Sequence, residues 1–525
     1  MNWFDIEKNF SGCRSILDTE TWCKIVSQTI DDENPEMFLD RIAAHCRKVD
    51  APGFLPDLAR LEWFILRIKE QEIAFPDQLD EVVLNPSLQL LELGWKRLTD
   101  YINASGVEDP EHGNEFVVIW KHPEDGKVRA RAASAEDLLV IKMIFEKIDR
   151  LDVAKLGALP VAAVDAAIER AVENGIFLAP RSRIRRDFPI MESSACDDIQ
   201  YMISSTFTLQ WHITQACDLH CKHCYDRSER STLTLPEALR ILDNLNGFCR
   251  EMHVKGQVSF TGGNPMLHPD FSDIYQAAAN LGLTLAILGN PTPRKRLEEL
   301  ISIQPPSFFQ VSLEGLPEYN DFIRGRGHYE RVLEFLDLLR DLNVYSMVML
   351  TLTRDNLNQV LPLGERLRDR ADAFYFNRLV RVGEGASLEL PEKKDYIAFL
   401  KNYLADSKDN PVLGLKDNLF NLLLHHEGRE TFGGCTGFGC GAAFNFLSVL
   451  PDGEVHACRK FPSPVGSILT ESLSEIYNSN IARRYRTGCA DCRSCLLRPV
   501  CGGCLACAYS HGLNIFEQKD PFCFI

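Results

Sequence analysis

Residues 207–224 read FTLQWHITQACDLHCKHC. The first seven have the β-branched and aromatic composition of a buried strand. Three cysteines follow within eight residues, in the spacing Cys217-x3-Cys221-x2-Cys224. Thiolates spaced in this way on one loop can face a common point and hold three corners of a cubane iron–sulfur cluster, which leaves one iron without a protein ligand. The sequence therefore predicts a cluster with an open position at the end of a strand.

A strand followed by a helix is the repeating pattern of residues 200–400. Further strands are predicted at 258–260, 283–288, 308–313, 346–352 and 373–376. Helical runs separate them at 234–245, 271–281, 329–342 and 357–368, and Thr234 with Glu237 forms a capping box for the first of these. About six strand–helix units predict an α/β fold with a parallel sheet, a partial (β/α)6 barrel similar to a TIM barrel. Ligands of such a barrel gather at the carboxyl ends of its strands.

The cysteine loop, with His223 before its last cysteine and Tyr225 after it, resembles the signature of the radical S-adenosylmethionine (SAM) superfamily. The resemblance implies a [4Fe-4S] cluster with an open iron site and S-adenosyl-L-methionine as cosubstrate. It also implies an enzyme that reductively cleaves SAM to a 5'-deoxyadenosyl radical, with His223 in the cofactor site. A structural zinc site that recruits His220 or His223 as its fourth ligand is the alternative.

Two later segments carry the same resemblance. Residues 258–265, VSFTGGNP, look like the strand-end Gly-Gly-Glu-Pro motif that holds the methionyl amino group. This assigns four residues to the cofactor: Gly262, Gly263, Asn264 and Pro265. Asn264 departs from the motif, which has Glu at this position. The difference removes a formal charge and leaves a carbonyl acceptor for the ammonium.

The segments VSLEG (311–315) and IRG (323–325) resemble the fourth strand of the superfamily. That resemblance implies that Ser312 and Arg324 contact the ribose and the carboxylate of the cosubstrate. A strand-end serine and a surface arginine in a glycine-rich loop are the plain alternative.

Ten of the eighteen cysteines lie between residues 435 and 523. Their spacing closely resembles the SPASM extension of peptide-modifying radical enzymes, which binds two auxiliary [4Fe-4S] clusters. By resemblance, one cluster is held by Cys435, Cys440, Cys458 and Cys504, and the other by Cys492, Cys495, Cys501 and Cys523. The pair Cys501 and Cys504 is separated by two residues instead of three, so the choice between Cys504 and Cys507 stays open and Cys489 is left over. A pair of zinc sites is the alternative.

The N-terminal region predicts two further domains. Residues 1–110 have apolar positions at helical spacing and predict a helical domain. Residues 111–190 change to two strands and three short helices, similar to the winged-helix module with which many peptide-modifying enzymes bind a leader peptide. A DNA-binding module and a plain structural domain are the alternatives. The radical SAM barrel is assigned to 200–400 and the SPASM domain to 425–525.

Composition limits the partners. The net charge of -17 disfavours nucleic acid as the main partner. No apolar stretch approaches the ~18 residues of a membrane span, and the first residues lack the pattern of a secretory signal. We therefore expect a cytoplasmic protein without a membrane partner. A reducing compartment disfavours disulfides and favours metal chemistry for the clustered cysteines.

Three blocks narrow the resemblance to one group of peptide maturases. Residues 262–269 (GGNPMLHP), 288–291 (LGNP) and 376–385 (FNRLVRVGEG) look like the selenobiotic-family maturase. This implies modification of a ribosomally synthesised precursor peptide that contains cysteine or selenocysteine, with an electron donor such as ferredoxin or flavodoxin. A sulfatase-type or quinone-cofactor maturase and a non-enzymatic zinc-binding winged-helix regulator are the competing hypotheses.

Overall fold

The computed structural model describes residues 10–30, 37–48, 51–76, 78–103, 109–157, 159, 161–186 and 198–525. The chain divides into two compact units. One contains residues 1–159 and 163–181, and the other contains residues 160–162 and 182–525. Cys196 lies outside the described residues. None of the helices in the described ranges has the length and apolar character that a bilayer span requires.

The first unit contains helices and two small antiparallel sheets. Its described elements are α1 (Ser11–Ile16), α2 (Thr19–Ile30), α3 (Met37–Cys46), α4 (Leu55–Glu70), β1 (Val83–Leu84), β2 (Gln89–Lys96), α5 (Leu98–Asn103), β3 (Glu111–Lys121), β4 (Val128–Ala132), α6 (Ala135–Phe145), α7 (Arg150–Gly157), α8 (Val161–Glu173) and β5 (Phe177–Leu178). The larger sheet has the order β2-β3-β4, and β1 pairs with β5.

Strand β3 separates the two cores of this unit because successive side chains point to opposite faces. Val117 and Ile119 lie in the core that contains α4. Val118 and Trp120 lie in the core that contains α6 and α8. The prediction of a helical domain over residues 1–110 missed β2, which pairs with β3 across the expected boundary at residue 110. Helices and sheet on both sides of that position therefore belong to one unit.

The described part of the second unit, which leaves out residues 160 and 187–197, contains nine strands with helices between most of them. Its described elements are β6 (Thr206–Thr214), α9 (Leu235–Glu251), β7 (Lys255–Gly262), α10 (Phe271–Asn280), β8 (Thr284–Leu288), α11 (Arg294–Ile303), β9 (Phe309–Ser312), α12 (Pro317–Arg324), α13 (His328–Asp341), β10 (Ser346–Leu352), α14 (Val360–Leu367), β11 (Ala373–Arg378), α15 (Lys393–Asp406), α16 (Phe420–His426), β12 (Phe446–Val449), β13 (Glu454–His456), β14 (Pro464–Ser467), α17 (Leu473–Asn478), α18 (Asn480–Thr487) and α19 (Leu505–Ser510).

The nine strands form one sheet in the order β11-β10-β9-β8-β7-β6-β12-β13-β14. Strands β6 to β11 are parallel and follow one another in chain order, which confirms the predicted α/β fold with a parallel sheet. Strand β12 adds to β6 in parallel, and β13 and β14 continue antiparallel. This extension was not predicted, and it joins the cysteine-rich C-terminal segment to the barrel strands.

Local sequence explains how the barrel begins. In β6, Phe207, Leu209 and Trp211 are buried in the apolar core. The predicted capping box of α9 is present, since Glu237 accepts hydrogen bonds from both the amide and the hydroxyl of Thr234. Because side chains alternate along a strand, Thr208 and Gln210 point the other way and line a cavity.

Candidate active site

A cavity of about 520 Å³ lies at the carboxyl ends of the parallel strands. Most of the residues predicted to bind the cluster or the cosubstrate line it: Cys217, Cys221, His223, Cys224, Gly262, Gly263, Ser312 and Arg324. These residues come from four segments of the chain, which lie at or after the ends of β6, β7 and β9. Asn264 and Pro265 are not among the lining residues. The fold thus brings together eight of the ten residues at one opening.

The cysteine loop is tied to its surroundings through the backbone. The amide of Lys222 donates to the carbonyl of Ile323 over 3.0 Å, and the amide of Glu384 donates to the carbonyl of Cys224 over 2.9 Å. Burial raises the pKa of the Cys221 and Cys224 thiols, while Arg324 lowers that of Cys221. All the cysteines in the described ranges are free of disulfides. Three soft donors on one loop beside a cavity have the chemistry that an iron–sulfur cluster requires.

Gly262, the last residue of β7, and Gly263, the next residue, lie directly against the end of β6. Gly262 has a φ of +135°, and a Cβ there would lie 2.3 Å from the carbonyl oxygen of Thr214. A Cβ at Gly263 would lie 2.2 Å from the carbonyl oxygen of Ala216. The amide of Gly263 donates to Thr214 over 2.8 Å. Glycine is therefore required at both positions for the backbone of β7 to reach the segment that leads into the cysteine loop.

Asn264 has a different environment from the one its motif predicts. Its Nδ2 donates to Oδ1 of Asp218 over 3.0 Å, and its Oδ1 accepts from the amide of Met266 over 3.3 Å. Pro265 is buried and begins the short 3-10 helix Pro265–Leu267. The Asn264 carbonyl accepts this backbone hydrogen bond, and its side chain is not among those that line the cavity. The cofactor role of both residues stays a prediction.

Glu314 is a site residue that the sequence did not single out. It is 1% exposed, and its Oε1 lies 2.8 Å from Nε2 of His223 and 2.6 Å from Nη2 of Arg324. Its Oε2 accepts from the amide of Thr351 over 2.7 Å. Burial raises the pKa of Glu314, but His223 and Arg324 lower it by more than burial raises it. The resulting pKa is about 2. The carboxylate is therefore ionised at neutral pH, and it holds two of the predicted cofactor residues.

A second cavity of about 410 Å³ is lined by five cysteines: Cys435, Cys440, Cys458, Cys504 and Cys507. The first four are the set predicted for one auxiliary cluster. The two cavities share a wall made of Leu288, Gln310, Met349, Asn377, Arg378, Arg459 and Lys460. The cysteine-rich cavity and the cavity of the three-cysteine loop are therefore neighbours.

Arg378 in this wall connects the last barrel strand to the C-terminal segment. It is 2% exposed, and its Nη1 and Nη2 donate to the two carboxylate oxygens of Asp520 over 2.8 and 2.7 Å. Its Nε donates to Asp417 over 2.8 Å. Asp520 in turn accepts from the amide of Cys504 over 2.9 Å. This buried network fixes Cys504 relative to β11.

Four of the other C-terminal cysteines form a group, in which Cys492 interacts with Cys489, Cys495 and Cys501. A hydrogen bond with Cys492 lowers the pKa of Cys489 to about 7. The thiol of Cys523 instead lies 3.6 Å from the carbonyl oxygen of Ile525. The structure thus places Cys489 with three members of the second predicted set, and the assignment of Cys523 to that set stays a prediction.

The described cysteine groups do not form a centre for a single metal ion. Within the ranges that the structure describes, no three His, Cys, Asp or Glu side chains converge as one metal ion would require. The thiolates of a cubane bind different irons and do not need to meet at one atom.

Comparison with known proteins identifies two domains. Residues 211–367 match the Radical SAM superfamily. Residues 440–505 match SPASM, an iron-sulfur cluster-binding domain. The first range contains the cysteine loop, both glycines, Ser312 and Arg324, and the second contains Cys440 to Cys504.

Three relatives illustrate the range of similar proteins. The AdoMet-dependent heme synthase of Methanosarcina barkeri is 25% identical over 350 residues, which cover 61% of this chain and 97% of the relative. AlbA, the subtilosin biosynthesis protein of Bacillus subtilis, is 24% identical over 61% of this chain and 70% of the relative. The mycofactocin maturase MftC of Mycobacterium ulcerans is 26% identical over 62% of this chain and 90% of the relative.

A solved structure shares the fold over a longer part of the chain. SuiB of Streptococcus suis, bound to its precursor peptide SuiA, covers 78% of this chain and 96% of its own with a TM-score of 0.50 and 15% identity. The chain therefore contains a radical SAM domain, the kind of domain that binds a [4Fe-4S] cluster and S-adenosylmethionine, followed by an iron–sulfur cluster-binding SPASM domain.

Proposed function

We propose that this chain is a maturase that uses radical SAM chemistry to modify a ribosomally synthesised peptide. The observation that carries the proposal is the wall shared by the two cavities, with the three-cysteine loop on one side and Cys435, Cys440, Cys458 and Cys504 on the other. A peptide side chain at this wall is next to both metal-binding groups. The polar and cationic wall residues, such as Gln310, Asn377 and Arg459, suit a peptide, whose backbone needs hydrogen-bond partners.

The residues of the chain have distinct roles in this proposal. Cys217, Cys221 and Cys224 hold the cluster, and a pair of four-cysteine sets holds two auxiliary clusters. When bound, the cluster and S-adenosylmethionine supply a 5'-deoxyadenosyl radical. The backbone at Gly262 and Gly263 lies against the cosubstrate. Ser312 and Arg324 orient it through its ribose and carboxylate.

Exclusion of water is the second task of the cavity. Leu288, Met349, Leu379 and Val380 line it. Apolar side chains around a radical limit side reactions with solvent.

An electron donor such as ferredoxin or flavodoxin is the further partner in this proposal, because the cluster has to be reduced.

The peptide substrate is supported by the comparisons. AlbA and MftC are named for the biosynthesis of subtilosin and the maturation of mycofactocin, and the SuiB structure contains a precursor peptide. The blocks at 262–269, 288–291 and 376–385 support the finer proposal that the target peptide contains cysteine or selenocysteine, as in the selenobiotic family.

The first unit is proposed to bind the leader of this peptide. Its three-stranded sheet has β2 and β4 as its edges. An extended peptide can add to such an edge through main-chain hydrogen bonds. The chain's charge of -17 disfavours DNA as the ligand of this module.

A reaction on a heme precursor is the second candidate, because the heme synthase of M. barkeri matches over 97% of its own length. That match covers 61% of this chain. In this alternative the sheet and helices of the first unit have no assigned ligand. The peptide proposal gives them one.

The test is an anaerobic assay of the full chain reconstituted with iron and sulfide. We expect dithionite and S-adenosylmethionine to yield 5'-deoxyadenosine, and a small cysteine-rich peptide encoded beside this chain to change mass during the reaction. The Cys221→Ala variant is expected to abolish both products. If the protein binds zinc instead of iron and yields no 5'-deoxyadenosine, the hypothesis that the chain is an enzyme is rejected. Turnover of a porphyrin with no change in the peptide would favour the second candidate. The size of the mass change of the peptide separates a selenobiotic-type maturase from a sulfatase-type or quinone-cofactor maturase.

A further inference from the structure

Three ionisable side chains lie together behind the cysteine loop. Glu314, His223 and Arg324 are 1%, 8% and 11% exposed, and they are termed the Glu314 triad below. Both His223 and Arg324 contact the same oxygen of Glu314. The triad links β9 and α12 to the loop that carries Cys221 and Cys224.

The guanidinium of Arg324 has a fixed orientation. Its Nε and Nη2 donate to Oε1 of Glu314 over 2.9 and 2.6 Å, which leaves Nη1 to donate to Sγ of Cys221 over 3.7 Å. Glu314 is itself held at both ends: its Oε2 accepts from Thr351, and its amide donates to Oδ1 of Asn320 over 3.0 Å. A buried arginine bonded in this way keeps one N–H directed at the sulfur of a cluster ligand.

Charges at this position act strongly on a cluster because the site is buried. One-electron reduction adds a negative charge to an iron–sulfur cluster, and its potential depends on nearby charge and on hydrogen bonds to the sulfurs. A cation beside the sulfur stabilises the reduced form, and an anion destabilises it.

We propose that Arg324 and Glu314 of this triad set the reduction potential of the cluster bound by Cys217, Cys221 and Cys224. Arg324 raises the potential through its N–H donated to the Cys221 sulfur, and Glu314 is a positioning residue that aims this group and offsets part of its charge. The step concerned is the transfer of one electron from a low-potential donor, such as a reduced flavodoxin, to the oxidised cluster. The inference rests on the radical SAM domain and not on the peptide substrate.

The test is a potential titration of the reconstituted full chain, followed by electron paramagnetic resonance, without S-adenosylmethionine or peptide. The spectrum of the Cys217→Ala, Cys221→Ala, Cys224→Ala variant is subtracted to remove the auxiliary clusters. We expect Arg324→Gln to make reduction at least tenfold less favourable, a shift of about 59 mV to more negative potential for a one-electron couple. Arg326→Gln is the matched control, because Arg326 is exposed and its substitution removes the same charge two residues away.

Glu314→Gln provides a second variant of opposite sign. It removes a buried negative charge but keeps a side-chain oxygen that accepts from Arg324, so the orientation of Arg324 is retained and the potential is expected to rise. If Arg324→Gln fails to retain the cluster, Glu314→Gln decides alone: an unchanged or lower potential overturns the proposal. Equal shifts in Arg324→Gln and Arg326→Gln also overturn it. An effect of Arg324→Gln only on the affinity for S-adenosylmethionine would leave Arg324 as a cosubstrate contact, and failure of peptide modification does not alter this titration.

Discussion

The side chain of Asn264 donates a hydrogen bond over 3.0 Å to Oδ1 of Asp218, which is a residue of the cysteine loop. The same oxygen accepts from Nδ2 of Asn290 over 2.6 Å. Two asparagines at the ends of neighbouring strands thus hold one carboxylate that stands directly after Cys217.

The first prediction follows from this carboxylate. Asp218→Ala removes the acceptor of two amide donors, and we expect the loop to lose about 1–3 kcal/mol of local stability. The measurement is hydrogen exchange by mass spectrometry over residues 215–224 of the protein without cluster. Glu229→Ala removes an exposed acid on the same segment and serves as the control. Equal protection in the two variants would show that the asparagines do not order the loop.

The second prediction concerns the contact between β7 and β6. Gly263→Ala places a Cβ 2.2 Å from the carbonyl oxygen of Ala216, so backbone has to move. We expect a loss of about 3 kcal/mol and a clearly lower midpoint in thermal unfolding. Gly247→Ala is the matched control, because a Cβ there has open space inside α9. That variant is expected to be neutral or more stable by up to about 1 kcal/mol.

The third prediction tests a capping interaction in the first unit and its pH dependence. Asp137 accepts from Arg131 over 2.6 and 2.8 Å and completes the capping box with Ser134. Burial raises the pKa of Asp137, but the hydrogen bonds from Arg131 and Ser134 outweigh this and lower it overall. Because the folded pKa is below the unfolded value, the stabilisation is present above pH ~3.9 and is lost as the pH falls through the folded pKa.

Asp137→Asn is therefore expected to cost about 2 kcal/mol at pH 7, measured by hydrogen exchange of residues 134–145. The difference from the unaltered chain should shrink as the pH falls below ~4. Glu136→Gln, which breaks an exposed pair with Arg170, should change protection by less than about 0.5 kcal/mol. A pH-independent difference at Asp137 would contradict the role given to its ionised form.

The fourth prediction addresses the open choice between Cys504 and Cys507. Cys504 interacts electrostatically with both Cys440 and Cys458, and its amide is fixed by Asp520. We expect Cys504→Ala to lower iron by about four atoms per chain and to remove one cluster from the Mössbauer spectrum, as a lost cubane would. Cys507→Ala should retain that iron. The reverse result would assign Cys507 as the ligand.

The barrel was predictable because its strands and helices are encoded locally. The run at 207–213 and the capping box of Thr234 and Glu237 lie within β6 and at the start of α9 in the structure. Strand β2 was missed, because Leu90, Leu91 and Leu93 lack strict alternation and its pairing with β3 decides its conformation. The addition of β12 to β6 was also missed, because Phe446 pairs with Thr208, far away in the chain.

The site was predictable in its cysteines and glycines and less so in its charged residues. Spacing alone places Cys217, Cys221 and Cys224 on one loop. Glu314 carried no signal of its own, since its partner His223 is distant in sequence and the ion pair exists only in the folded chain. The orientation of Asn264 toward Asp218 depends in the same way on contacts between loops.

The addition of β12 makes β6 an internal strand, and this has a consequence for any attempt to isolate the barrel. A chain that ended before Phe446 would leave the outer backbone groups of residues 208–211 without partners on a nine-residue strand. Such exposed edges pair with other copies and aggregate. We therefore expect the radical SAM segment to aggregate when it is produced without the SPASM segment. Shortened forms of this protein should be designed to end beyond β14.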